Sequence, residues 1–401
     1  MLLRNVRVRI GEEKISVAIS LGRILAEDIV STVNLPPFER AAMDGFAVRA
    51  EDTYSASPST PIVLTKVAEL HIGETPNLKI ERNETASIVT GAPLPAGSNA
   101  VVMVEYSRRL PSGMIEIYTD VRPGENVSHV GEDVAKGTIV LRTGTQILPQ
   151  DVGMLTGLGL REIAVRSKPK IAILSTGNEL VEHSSANGRI VDVNRPMLTA
   201  AIQSLECEPI DLGIVGDNYE AIHSRLLEGL NIVDAVLVTA GTSVGSADIV
   251  PMVIDSLGSP GMLVHGVALR PSMPTGLAVV NGKPIVSLPG YPVSAYLAFI
   301  EFVRPLITHL LRTTLLPMPT MKTRLNRRVA GVLGSRTYVR VQVSRHKDGC
   351  IAEPVRTAGA GILSSLVQAN GFVVVPENVE GYEEGELVEV ELFRACEDRS
   401  N

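Results

Sequence analysis

A chain of 401 residues with 45% hydrophobic and 20% charged residues has material for roughly two to four ordinary domains and is not compositionally disordered. Its net charge of −7 lacks the basic balance that phosphate-neutralising nucleic-acid binding demands, and with no Trp it offers few platforms for stacking bases. The three cysteines, Cys207, Cys350 and Cys396, are widely spaced and form no CxxC pair, so they are expected as core filler and not as a disulfide framework or zinc site.

The segment 1–10 carries Arg4, Arg7 and Arg9 but no following apolar block, so no signal peptide is expected. No run of about 18 apolar residues stands out, and the expectation is a cytoplasmic protein without membrane contact. Between 15 and 29 the apolar residues Val17, Ala18, Leu21 and Leu25 follow a helical spacing. Short β-like runs then recur at 61–64, 100–104 and 138–141, bounded by Gly, Pro, Asn and Asp. A second short helix is expected from Pro149, where a first-turn proline needs no donor, toward Gly157.

From 170 onward strands alternate with helices. Ile171-Ala172-Ile173-Leu174 reads as a strand, 196–205 as a helix, 210–215 as a strand, 219–227 as a helix and 235–238 as a strand. A helix after Asp248 reaches Leu257, a hairpin over 277–288 turns at Asn281-Gly282, and a long helix covers about 293–311. Such alternation means βαβ units and a mostly parallel sheet covered on both faces. Past Pro317 and Pro319 the period becomes two, at 338–343 and 387–392, as in a small β-domain of barrel type.

Ligands of open parallel sheets bind outside the carboxyl ends of the strands. Three loops leave such ends: Ser175-Thr176-Gly177-Asn178-Glu179, the segment 239–248, and Ser287-Leu288-Pro289-Gly290-Tyr291-Pro292-Val293-Ser294. In the second, Gly241 and Gly245 let backbone N–H groups approach a phosphate, while Thr242, Ser243 and Ser246 add hydroxyl donors. It matches neither a Walker A loop nor a dinucleotide fingerprint, and a tight, capped strand–helix turn is the plainer alternative. Glu179, Asp192, Asp217 and Asp248 surround it; singly each reads equally well as a helix cap or first-turn residue, together they suit Mg²⁺ beside a phosphate. No HExxH or GxSxG is present, and His265 reads as structural.

At these residues the chain resembles the molybdopterin molybdenumtransferase family, the MoeA type, which is similar to the C-terminal domain of gephyrin. Six segments carry the resemblance in order: 36–48 (Pro-Pro-Phe-Glu-Arg-Ala-Ala-Met-Asp-Gly-Phe-Ala-Val), 90–95, Gly131-Glu132-Asp133, 175–180, 239–248 and 288–294. The resemblance implies a multidomain α/β plus β molecule. Its parts are a helical connecting domain at 1–45 and 142–168, a β-rich inserted domain at 46–141, a molybdopterin-binding α/β domain with a mostly parallel sheet at 169–315, and a C-terminal β-barrel at 318–395. It further implies a homodimer whose active site lies between the α/β domain of one subunit and the inserted domain of the other.

The implied activity is insertion of molybdate or tungstate into adenylylated molybdopterin, with Mg²⁺-dependent cleavage of its pyrophosphate link and release of AMP. By carry-over, Asp44, Thr90, Asp133, Glu179 and Arg270 are catalytic candidates, and Glu179, Asp217 and Asp248 are metal ligands. Thr176, Gly241, Thr242, Ser243, Gly245, Pro289, Pro292 and Ser294 contact the pterin substrate. The chain departs from the family where Gly266 and Met273 replace usual lysines, leaving Arg270 as the local cation, and where Ala360 replaces a hydroxyl residue near the basic Arg340. The alternatives are a molybdopterin adenylyltransferase, which on the first reading is instead a partner, and a non-catalytic molybdopterin-binding carrier or scaffold.

Overall fold

The computed structural model describes residues 1–184, 188–240, 249–314, 317–347, 349–355 and 359–398. Near the N-terminus a strand replaces the helix expected at 15–29. Glu12–Ser16 pairs antiparallel with Glu162–Arg166, and one 3₁₀ turn, Val17–Ile19, follows it. Ile15 and Val17, two apart, enter one core with Leu25, Ile147, Leu155 and Val165. This long-range pairing overrides a weak helical spacing that Gly22, at φ +80°, interrupts. The helix Pro149–Gly157 forms as expected, with Asp151 accepting the Leu148 N–H at 2.9 Å.

Between these elements stands a six-stranded sheet. Within it Gly45–Val48 pairs with Glu84–Ile88, with Ala100–Met103 beyond the first and Ile62–Leu70 beyond the second. Gly45 permits the close approach there, because a Cβ on it would lie 2.0 Å from the Val102 carbonyl oxygen.

The α/β region comprises β1 (Lys170–Thr176), α1 (Asn194–Gln203), β2 (Glu208–Val215), α2 (Tyr219–Ile232), β3 (Ala235–Ala240) and α3 (Ile249–Leu257). It continues through β4 (Pro260–His265), β5 (Gly276–Val280), β6 (Lys283–Pro289) and the long helix α4 (Pro292–Leu311). Sheet order is β2-β1-β3-β6-β5-β4; the first four strands are parallel and the last two antiparallel additions. Side chains of β1 alternate between two cores. Ile171 and Ile173 pack with α1 and α4, and Ala172 and Leu174 pack with α2 and α3. α4 contains one π-helical stretch, Phe299–Val303.

α4 also corrects the expectation of no membrane-length apolar segment. With a mean hydropathy of 1.2 it is the one helix among the described residues long and apolar enough to cross a membrane. It is a core helix here: Leu297, Ala298, Val303, Leu306 and Ile307 are fully buried against the sheet.

The C-terminal strands β7 (Thr320–Leu325), β8 (Arg336–His346), β9 (Gly349–Pro354), β10 (Gly371–Val375) and β11 (Leu387–Leu392) close into a five-stranded barrel. Pairing runs β8-β9-β7-β11-β10 and back to β8. Val339, Val341 and Val343 face its interior, whereas Tyr338 and Phe372 pack outward against Leu269, Val293 and Leu297. That outward cluster fastens the barrel to the α/β region, beside the carboxyl ends of its strands.

Candidate active site

β1, β2, β3 and β6 end in register at Thr176, Val215, Ala240 and Pro289. Over this edge lies a cavity of about 550 Å³. Thr176, Glu179, Asp192, Asn194 and Ala240 form one wall, Gly290, Tyr291 and Pro292 another, and Gly361 and Leu363 of the barrel region close it. The Val293 N–H donates to Ala360 O at 3.2 Å, so the barrel loop is tied to the first turn of α4.

Glu179 is exposed at the cavity; its backbone carbonyl accepts the Ile190 N–H at 2.8 Å, while its side chain makes no hydrogen bond or ion pair among the described residues. Its carboxylate folds back over Gly177, where a Cβ would meet Oε1 at 2.9 Å. Asp217 stands on the neighbouring loop after β2. Its Oδ2 accepts the Asn178 N–H at 3.3 Å while the Asp217 N–H donates to Asn178 Oδ1 at 3.1 Å, a reciprocal pair joining the two loops. Asp217 does not itself line the cavity.

The expected convergence of four carboxylates needs correction at Asp192. Its side chain is 2% exposed, and Oδ1 accepts the N–H groups of Asn194 and Arg195, both at 3.1 Å. Oδ2 accepts Arg195 Nε at 3.2 Å, so Asp192 is the cap of α1 and an Arg partner. Arg195 also reaches Asp211 at 2.7 Å and Glu182 at 3.0 Å; burial works against its charge, but these carboxylates hold its pKa above the usual value. Among the described residues no three His, Cys, Asp or Glu side chains gather as a metal cluster. Gly241, Thr242, Ser243, Gly245, Ser246 and Asp248 lie outside the described residues.

Pro292 lines the cavity, whereas Pro289 and Ser294 are buried behind it, Ser294 O accepting the Ser272 hydroxyl at 2.7 Å. Arg270 is exposed on a short strand that pairs with β8 of the barrel and does not line the cavity. Met273 is 55% exposed, and Gly266 is exposed with φ +95°. His265 ends β4, exposed.

Asp44 and Thr90 come together on the N-terminal sheet, not at this cavity. The register Gly45↔Ile88 sets them side by side, and Asp44 Oδ1 accepts the Thr90 N–H and the Thr90 hydroxyl, each at 2.7 Å. The backbone N–H first, and then the hydroxyl, hold the Asp44 carboxyl below its ordinary pKa. Asp133 lies on an exposed turn anchored by its N–H to Leu35 O at 3.0 Å. Within one chain, none of the three lines the cavity. Phe38, Met43, Val89 and Val130 are exposed on the same segments.

The cavity's wall also includes Asn194, which the sequence did not single out, alongside Gly290 and Tyr291 of the third candidate loop. The signal for Asn194 was its place two residues after Asp192, at the start of a helix facing the strand ends.

A parallel α/β sheet with a ligand-sized cavity at its switch edge, closed by a barrel and preceded by a β-rich arm, defines a multidomain small-molecule enzyme. The MoeA N-terminal region (domains I and II) matches residues 1–159, the probable molybdopterin binding domain 172–309, and the MoeA C-terminal region (domain IV) 322–393. A Methanocaldococcus jannaschii protein named for molybdopterin biosynthesis is 38% identical, over 95% of this chain and 92% of its own length. The molybdopterin molybdenumtransferase of Bacillus subtilis is 32% identical, over 94% and 88%. A crystal structure of the molybdopterin biosynthesis MoeA protein from Pyrococcus horikoshii superposes with a TM-score of 0.85 at 34% identity, covering 98% of this chain and 97% of that one. The chain belongs to the MoeA family of molybdopterin molybdenumtransferases, enzymes of molybdenum cofactor biosynthesis.

Proposed function

We propose that the chain inserts molybdate, or tungstate, into adenylylated molybdopterin and releases AMP by cleaving the pyrophosphate link. The observation that carries this reading is Glu179, a carboxylate without a partner among the described residues that lines a cavity closed by the barrel region. Water adds to one phosphorus, the bridging P–O bond breaks, AMP leaves, and the pterin keeps its own phosphate. Glu179 orients that water and takes its proton. Thr176 and Pro292 shape the wall against the ligand. The conformationally free Gly241 and Gly245, the hydroxyls of Thr242 and Ser243, and Arg270 are the expected phosphate and oxyanion contacts.

The donor set suits Mg²⁺, because among the described residues both Glu179 oxygens are without a partner and Asp217 accepts at Oδ2 only one long backbone N–H bond. Glu179, Asp217 and Asp248 would hold the ion, which when bound supplies charge neutralisation at the diphosphate. Asp44, Thr90 and Asp133 serve the cavity of a partner subunit in a homodimer. Support comes from their distance from their own chain's cavity wall and from the exposed apolar side chains Phe38, Met43, Val89 and Val130 around them. An adenylyltransferase is the expected supplier of substrate, and three free cysteines suit a reducing cytoplasm.

The test is to supply adenylylated molybdopterin with molybdate or tungstate and Mg²⁺, then measure AMP and pterin-bound metal. Equal amounts of AMP and inserted metal are expected. Tight binding without AMP release would make the protein a carrier, and adenylylation of molybdopterin from Mg-ATP would make it the adenylyltransferase.

A further inference from the structure

Asn194 begins α1, and the residue is 6% exposed. Its Nδ2 donates to Gly290 O at 2.7 Å, tying the start of α1 to the turn that opens α4. That bond fixes the amide's orientation, since the reverse would set two carbonyl oxygens against each other. Oδ1 is consequently left buried with no hydrogen-bond partner among the described residues. Buried acceptors are rarely left so in native proteins, and each one asks what satisfies it. Asn194 lines the cavity beside Thr176, Glu179, Gly290 and Pro292.

We propose that Asn194 is a specificity-determining residue whose Oδ1 accepts an N–H from the pyrimidine edge of a bound pterin. The inference rests on the reading that a pterin occupies this cavity. A pterin presents N3–H and 2-amino donors on that edge, and an amide whose donor is already committed to Gly290 rewards a donor alone. Oδ1 lies just behind the cavity wall, so the amide or the 290–292 turn adjusts as the ligand enters. Discrimination then follows from the energetic cost of leaving this acceptor unpaired when the ligand lacks the hydrogen.

The test compares pterin with two analogues, one methylated at N3 and one dimethylated on the 2-amino group, by fluorescence quenching on the full chain. Wild type is expected to bind one analogue about 10–100-fold more weakly than pterin. In Asn194→Ala that ratio should fall to near unity. Asn194→Asp keeps an acceptor and should keep the discrimination, although the Gly290 tether is lost. Equal binding of all three ligands by wild type overturns the inference alone, as does an unchanged ratio in Asn194→Ala. Failure of wild type to bind any pterin removes the reading of the cavity and the inference with it. Should Asn194→Ala not fold, the wild-type analogue series decides by itself.

Discussion

Substitution of Asp192 separates the two roles open to a carboxylate beside these strand ends. In the structure it caps α1 through two N–H groups and pairs with Arg195 Nε, with a side chain 2% exposed. Asp192→Ala removes a cap of about 0.5–2 kcal/mol. It also removes a charge-assisted bond of about 1.5–3 kcal/mol, part of which Arg195 recovers through Asp211 and Glu182. A loss of roughly 2–4 kcal/mol corresponds to a fall of about 5–15 °C in the melting temperature of a domain this size. Asp192→Asn keeps a capping carbonyl oxygen and should lose about 1 kcal/mol. Thermal unfolding measures the first effect, and the Mg²⁺ concentration for half-maximal AMP release measures the second. The cap reading expects an unchanged Mg²⁺ requirement in Asp192→Asn. A tenfold higher requirement with an unaltered melting temperature would refute it and return Asp192 to the metal.

Glu179→Gln should lower AMP release by about 10²–10⁴-fold while leaving thermal stability unchanged, since the carboxylate is exposed and has no partner among the described residues; a loss below tenfold would remove it from the chemistry. Thr90→Val deletes the hydroxyl donor to Asp44 and leaves the backbone N–H, so the Asp44 pKa should rise toward the ordinary value. A depressed carboxylate pKa contributes stability present above the unfolded value and lost as pH falls through the folded one. The variant should therefore lose activity at a higher pH than wild type on the acid side, and an identical acid limb would contradict the assignment. Burial pushes the Cys207 thiol up to about 12, so iodoacetamide at pH 8 should label Cys350 in the native protein and reach Cys207 only after unfolding, as read by mass spectrometry.

The α/β region was legible because its strands are buried on both faces and its turns carry their own chemistry. Ile171 to Leu174 feed two cores alternately, and Asn281-Gly282 adopts φ values of 50° and 86°, as a two-residue hairpin turn requires. The same local signals failed at 15–29, where pairing with 162–166, almost 150 residues away along the chain, decided the structure. At the site, exposed acids on strand-end loops stand out in sequence: Glu179 lines the cavity, and Asp217 sits on the next loop outside it. Asn194 was not singled out, since its place two residues after Asp192 at a helix start does not show that one end of its amide is committed, and Asp192 was overread because its partner Arg195 is three residues away on a helix that sequence alone does not orient.

The reading of a site shared between two subunits is tested most directly by subunit mixing. Asp44→Ala and Glu179→Gln should each disable every site when alone. Refolded together in equal amounts, half the dimers are mixed, and each of those holds one site with Asp44 and Glu179 both intact. About one quarter of wild-type AMP release should return. Activity that stays at the residual level of the two parents would show that each chain works with its own Asp44.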